Sequence, residues 1–377
     1  MRSELALGTP GVKMAIPSGW EAIQDAPRSG VFRDEASGLI WQIRSLPWRL
    51  DLDPANEEAL AADVEAFSRG LFEEEFARTA ASGARTPMTP AAPRTSDPEW
   101  SPVVSRERIE LGGGVALRIV RRVSYTPGNE TIVGSLLVPV AGGIVEINAA
   151  AKAQTTGARE SAVMLMKSEK GKPPAFFPQS VYDDPALDAS FAGHPLSRLR
   201  AALAAREPEI TVTDPVTATA AAGPQAIPSA RCTVTLPPRF LPLSPGTAGM
   251  SSTLVMCTRV ALGGDGLRLF DVWRFGDEAP HDAAALAALA ESVTRGWERE
   301  GAKIAAVESA PQEPAGAWMR ARCYARISVA GNETHGVQWW LAKPGAVYRL
   351  SSSGPTFLPR ETLDAETAAA AATLTPT

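Results

Sequence analysis

Cysteine and histidine are scarce, with three of each in 377 residues. Cys232, Cys257 and Cys323 lack CxxC spacing and are odd in number. They read as buried thiols of a reducing compartment, not as a disulfide or zinc framework. His194, His281 and His335 stand at no ligand spacing from a cysteine, an aspartate or one another, so neither a metal nor a cofactor is expected. The nucleophile elbow GxSxG, the P-loop, GxGxxG after a strand and HExxH are missing. Leu111-Gly112-Gly113-Gly114 has no Lys or Ser/Thr behind it to cradle a phosphate and reads as a turn. No run of 18 apolar residues supplies a transmembrane helix. The net charge of −5 argues against a dedicated nucleic-acid binder. The opening Met1-Arg2-Ser3-Glu4-Leu5 lacks the basic and apolar regions of a signal peptide, so a cytoplasmic protein that is not membrane-embedded is expected. Arginine far exceeds lysine and alanine is abundant, a bacterial, high-GC flavour.

What is present is a repeat. Gly128-Asn129-Glu130-Thr131 recurs as Gly331-Asn332-Glu333-Thr334. Val115 to Val123 precedes the first copy and Trp318 to Arg326 the second. Gly143-Ile144-Val145-Glu146-Ile147-Asn148 follows the first, and Ala346-Val347-Tyr348-Arg349-Leu350-Ser351 the second at the same offset. Upstream, Ser68-Arg69-Gly70-Leu71 answers Thr294-Arg295-Gly296-Trp297, and Ile16-Pro17-Ser18-Gly19-Trp20 answers Leu236-Pro237-Pro238-Arg239-Phe240. Blocks matched in one order point to duplication of one module. Each copy spans roughly 140–155 residues, a size at which a domain buries about 70% of its unfolded surface. The expected organisation is a first domain at 1–166, a connector at 167–229 and a second domain at 230–377, with internal pseudo-symmetry in a monomer.

Periodicity supplies the elements. In the first copy, Val12–Ile16 and Gly38–Leu46 read as strands, the latter alternating Leu39, Trp41 and Ile43 with Ile40, Gln42 and Arg44. Leu60, Val64, Phe67, Leu71 and Phe72 form a helical stripe over Glu57–Phe76. Residues 78–102 read as a surface excursion rich in Pro, Ser, Thr and Ala. Strands flank the Gly128-Asn129 turn, and another covers Gly143–Ala149. The second copy repeats this: strand Arg231–Leu236, a hairpin of Thr253–Val260 and Leu267–Phe275, helix Asp282–Gly301, a hairpin around Gly331-Asn332, strand Val347–Ser352, and a closing helix at Ala365–Ala372 whose first-copy counterpart is Ala158–Met166. Within the connector, Pro195–Arg206 is a helix striped by Leu196, Leu199 and Leu203, expected to pack on one repeat or bridge both.

The order is strand, Pro-Gly-Trp or Pro-Arg-Phe turn, hairpin, long helix, antiparallel strands, closing helix. With Ile16-Pro17-Ser18-Gly19-Trp20 at its head, it resembles the Mog/PsbP-like superfamily, including its DcrB-like branch, over about three quarters of the chain. The resemblance implies an α+β fold: two tandem Mog/PsbP-like α/β domains, each an antiparallel sheet packed with helices, arranged as a pseudo-dimer. It also implies a largely non-catalytic role. One branch, the Eag chaperones of type VI secretion, works as homodimers that shield apolar effector segments, and a tandem copy looks like such a dimer fused into one chain.

Candidate binding residues lie on the strands. Arg118 and Arg122 in the first copy, and Arg320, Arg322 and Arg326 in the second, fall on one sheet face by period-two spacing. Arg268 and Arg274 are placed on a neighbouring strand. The opposite face, with Leu117, Ile119, Leu267 and Leu269, is expected to meet the helices and leave a basic face open. That face is either solvated and paired with nearby carboxylates, or a surface for an acidic partner or the other repeat. Trp339 and Trp340, adjacent in one strand, must point to opposite faces; Leu136 and Leu137 match them. Such apolar surface requires the other repeat, the connector helix or an external ligand to cover it. The Gly-Asn-Glu-Thr turns read as hairpin chemistry, with a ligand role for Glu130 and Glu333 as the alternative.

The expected function is a non-catalytic, cytoplasmic adaptor or chaperone for another protein, possessing an apolar segment in one version, linked to bacterial secretion. An enzyme with a carboxylate and arginine site between the repeats, and an immunity-type protein with one dedicated partner, are the alternatives.

Overall fold

A computed structural model describes residues 11–26, 29–46, 50, 52–81, 101–126, 129–141, 143–153, 158–167, 179–216, 223–238, 240–242, 255–258, 268–329 and 332–377. The chain divides into two compact units, Met1–Leu46 with Leu52–Thr217, and Pro47–Asp51 with Ala218–Thr377. The class is α+β: each unit is built on a seven-stranded antiparallel sheet with helices packed on it.

The first unit contains β1 (Val12–Met14), β2 (Trp20–Ala26), β3 (Ser29–Asp34), β4 (Leu39–Leu46), α1 (Glu57–Ala81), β5 (Val103–Leu111), β6 (Gly114–Thr126), β7 (Asn129–Val140), β8 (Gly143–Ala153), α2 (Ala158–Lys167), α3 (Gln179–Tyr182), α4 (Pro195–Arg206) and β9 (Ile210–Val212). Its sheet runs β2-β3-β4-β8-β7-β6-β5, and β1 pairs with β9 beside it. The alternation read over 39–46 holds: Leu39, Trp41 and Ile43 are buried while Ile40 is exposed. Asp53 caps the turn leading into α1 by accepting from the Ala55 N–H, and Pro54 takes the position where a missing N–H costs nothing. α1 packs on β5 and β6, on the face of Leu117, Ile119 and Leu137.

The other face is the core of the unit. Phe32, Trp41, Ile132, Leu136, Val138 and Ile147 meet Leu196, Leu199 and Leu203 of α4 there. Each such leucine, fully buried, contributes about 1.5–3 kcal/mol of transfer free energy. Gly134 makes the approach possible, since a Cβ at that position would stand 2.5 Å from Leu203 Cδ1. The Gly112–Gly114 run is structural for a related reason. Gly113 has φ +89, and a Cβ on it would lie 2.6 Å from the Val212 carbonyl oxygen of β9.

The second unit contains β10 (Pro224–Ile227), β11 (Cys232–Thr235), β12 (Leu241–Pro242), β13 (Val255–Thr258), β14 (Leu269–Gly276), α5 (Ala283–Gly296), β15 (Lys303–Ala315), β16 (Trp318–Val329), β17 (Asn332–Lys343), β18 (Ala346–Pro355), α6 (Arg360–Ala371) and β19 (Thr375–Pro376). Its sheet, β12-β13-β14-β18-β17-β16-β15, has the same strand order as the first. α5, capped by Asp282 accepting from the Ala285 N–H at 2.7 Å, covers β15 and β16 on the face of Ala321, Cys323 and Trp340. α6 covers β17 and β18 on the opposite face.

Several expectations change. The helix that closes the first sheet is α4, not Ala158–Met166. α4 leads to β9, which pairs with β1, just as α6 leads to β19, which pairs with β11. Residues 179–216, assigned in sequence to a connector, therefore belong to the first unit, and 154–194 are an insertion between β8 and α4. In the second unit, β18 reaches α6 through residues 356–359. The 78–102 excursion is helix as far as Ala81; residues 82–100 lie outside the described residues, as do the turn residues 127–128 and 330–331. Arg268 and Arg274 do not neighbour β16, because sheet order differs from chain order: β18 and β17 stand between β14 and β16.

Candidate functional site

Strand register makes the two units comparable residue by residue. Arg118 pairs across to Leu136, and Arg122 to Ile132. Arg322 pairs to Trp339, and Arg326 to His335. Thus Arg118 matches Arg322, Arg122 matches Arg326, and Leu136 matches Trp339. Two residues before Arg118 and Arg322 on the same strands stand Ala116 and Arg320, the latter opposite Leu341.

In the first unit the arginine face is covered. Expecting helices only on the opposite face was an error with an identifiable cause: the connector leucines belong to this sheet and supply a second covering helix. Arg122 makes a buried bidentate pair with Asp183, Nη2 to Oδ1 at 2.6 Å and Nη1 to Oδ2 at 3.0 Å. Asp183 directly follows α3 in the insertion, and three arginines fix that stretch. Arg200 donates to the Asp183 carbonyl. Arg159, fully buried on α2, donates to the carbonyls of Tyr182 and Asp184, to Asp188 Oδ1 and to Ser197 Oγ. Arg118 grips two carboxylates, Glu107 on β5 and Glu207 after α4. Burial opposes its charge, but the bonds and charges of these two acids outweigh that and raise its pKa. Leu136 lies under α4 and Leu137 faces α1; both are buried.

In the second unit the tryptophans are also covered from within. Trp340 is fully buried against α5, its indole N–H donating to Gln338 Oε1. Trp339 faces α6 and donates to Asp364 Oδ1 at 2.8 Å. Neither needs another repeat to bury it. The arginines, however, form a partly exposed strip on β16 that α6 borders through Asp364 and Arg360. Arg320 lies over the Trp339 ring at 5.3 Å and donates to the Glu313 carbonyl. Arg322 donates to Asp364 Oδ2 at 2.7 Å. Arg326 pairs with Glu333 on the hairpin, and Arg360 at the start of α6 lies over the Tyr324 ring at 4.1 Å while bonding Glu308. Tyr324 OH is 3.3 Å from Nδ1 of His335, whose imidazole burial keeps below its usual pKa. His194 caps α4 through Nδ1, and His281 stands beside the α5 cap Asp282.

Cys232 and Cys323 are free, buried thiols, and burial raises the pKa of each, that of Cys232 to about 11. The side chains of Cys257 and Glu130 and the turn residues 127–128 and 330–331 lie outside the described residues. Sequence reasoning missed Asp183, Asp364, Tyr324 and Arg360. The Asp183-Asp184-Pro185 run was a visible signal; the others depend on helix placement. Among the described residues no group of three or more His, Cys, Asp or Glu is placed to hold a metal. No described helix is long and apolar enough to cross a membrane.

No protein-family model and no curated protein matches the chain. Among solved structures, similarity is found to the cyanobacterial PsbP (CyanoP) from Synechocystis sp. PCC 6803, at 10% identity and a TM-score of 0.29, covering 43% of this chain and 99% of that one. A Bacteroides thetaiotaomicron protein gives 14% identity and a TM-score of 0.26 over 41% of this chain and 48% of that one, so the chain spans about half of that protein's length. The immunity protein TplEi of the type VI secretion system of Pseudomonas aeruginosa gives 11% identity and a TM-score of 0.21 over 95% and 97%. At these identities and TM-scores the likenesses assign neither family nor function.

Proposed function

We propose that this chain is a duplicated PsbP-like module that acts without catalysis by binding another protein, as an adaptor, chaperone or immunity-type protein, and that it binds through the partly exposed strip of β15 and β16. One observation carries the reading. Arg122 is sealed under the chain's own acidic insertion in the first unit, whereas its match Arg326 stands at the surface in the second. Side-chain exposure is 5% for Arg122 and 47% for Arg326. Arginine and aromatic side chains held on a rigid sheet are the composition that protein interfaces favour. Arg320 and Arg360 stacked on Trp339 and Tyr324 lose little further freedom on binding. The partly exposed strip serves equally a secretion adaptor and an immunity protein with one dedicated partner.

The test is a photo-crosslinking residue at exposed Ala310, opposite Arg322 on β15, in the organism that encodes the chain. One protein adduct, lost when Arg326→Glu and Arg320→Glu are introduced into chain that still folds, is the expected result. Adducts that are absent, or indifferent to those charge reversals, contradict it.

A further inference from the structure

The chemistry of the partner is written in the first unit, and this inference rests on the protein-binding reading above. Arg118 and Arg122 lie four residues apart on a strand, as do Arg322 and Arg326, which sets the two guanidinium anchors about 13 Å apart in both sheets. The first pair receives carboxylates from segments packed over the face: Asp183 on Arg122 and Glu207 on Arg118, beside Glu107.

Among the described residues the second pair is short of the same carboxylates. Ala310 stands opposite Arg322 where Glu107 stands opposite Arg118. No insertion corresponds to the one that carries Asp183, because β18 passes to α6 within residues 356–359. Arg322 therefore spends one Nη on Asp364, where Arg118 in the matched position grips two acids. Arg326 has only the half-exposed Glu333 among the described residues, a surface pair that exchanges cheaply for a better one.

We infer that Arg322 and Arg326 receive an acidic segment of the partner protein. One carboxylate forks onto Arg326 as Asp183 does onto Arg122, and a second, about 13 Å away, takes the open edge of Arg322, with Tyr324 between them. A continuous polyanion fits less well. A nucleic-acid backbone or an anionic membrane would also meet Asp364, Glu333 and Glu308, which interleave with the arginines.

The probe is a labelled peptide of residues 178–190 of this chain, which carries Asp183, titrated against the full-length protein by fluorescence anisotropy. Saturable binding is expected. It should weaken about tenfold or more with Arg322→Gln and Arg326→Gln together, and by a similar factor when Asp183→Asn is made in the peptide. Arg326→Gln alone, at an exposed site, guards against misfolding of the double variant. Absence of binding, binding indifferent to these changes, or tighter binding of a single-stranded oligonucleotide or anionic vesicles overturns the inference. If the peptide fails while the crosslink at position 310 stays arginine-dependent, the acidic-segment inference falls and protein binding stands; if both fail, both fall.

Discussion

Arg122 and Arg326 hold the same register position in sheets of the same strand order, yet one is sealed in a bidentate ion pair and the other stands at the surface. The difference lies in what the chain does after the last strand of each sheet. In the first unit it inserts 154–194, fixes Tyr182, Asp183, Asp184 and Asp188 with Arg159 and Arg200, and only then lays α4 on the sheet. In the second it lays α6 down at once, mainly on β17 and β18, and meets β15 and β16 through Arg360 and Asp364. A shared scaffold thus has Arg122 satisfied internally and its match Arg326 available.

Central strands repeat the lesson. Glu146 on β8 and Arg349 on β18 are matched and buried, but opposite in charge. Glu146 pairs with Arg44 directly across the strands. Arg349 has Trp273 across from it, reaches diagonally to Asp271 at 2.8 Å, and lies within 6 Å of the Trp273, Phe275 and Trp297 rings. Burial pushes the Asp271 carboxyl pKa up, and the Arg349 charge opposes that shift without cancelling it. Each sheet keeps an ion pair on its central strands, with the signs free to exchange because only the sum must vanish.

The strongest way to break the comparison is to remove a partner from each arginine pair. Arg122→Ala strands a buried Asp183 and should cost about 3–5 kcal/mol, read as a lower urea midpoint. Arg326→Ala should leave the midpoint where it was. Equal losses would mean that the two pairs are not differently buried. Next in size is the sheet–helix approach. Gly134 admits the Leu203 side chain, whereas the matched Val337 faces an α6 whose buried set is smaller, Leu363 with Thr367, Ala370 and Ala371. Gly134→Val should cost about 1–3 kcal/mol by overpacking, and adding Leu203→Ala should return part of it; a purely additive loss would contradict this packing.

The smallest effect concerns pH. His335 is matched by Ile132 in the first unit. Burial, with the charges of Arg326 and Arg360, holds its pKa below the ordinary value of about 6.5. The unfolded chain then binds the proton first as pH falls. Stability is present above that value and declines through the acid side of it. Between about pH 7.5 and 5.5 the urea midpoint should fall, and His335→Ile should flatten part of that fall. His194, whose pKa burial also lowers, keeps the remainder.

Much of the scaffold was legible in the chain because it rests on periodicity. The alternation at 39–46, the stripe of α1 and the adjacency of Trp339 and Trp340 each fix a local face. The pairing of matched arginines was legible as spacing. What sits over them was not, because coverage depends on tertiary placement: nothing local distinguishes α2, which leaves Leu165 and Met166 exposed, from α4, which closes the core. The β2–β3 hairpin and the edge strands β5 and β15 were missed for a similar reason. A strand of largely partial or full exposure, such as Lys303–Ala315, shows no apolar alternation to read.

The central claim, Arg122 sealed and its match Arg326 open, is tested most directly by arginine-selective dicarbonyl labelling of the native chain, read per peptide by mass spectrometry. Arg320 and Arg326 should label early, and Arg122 and Arg159 only after unfolding. Labelling of Arg122 at the rate of Arg326 would contradict the account.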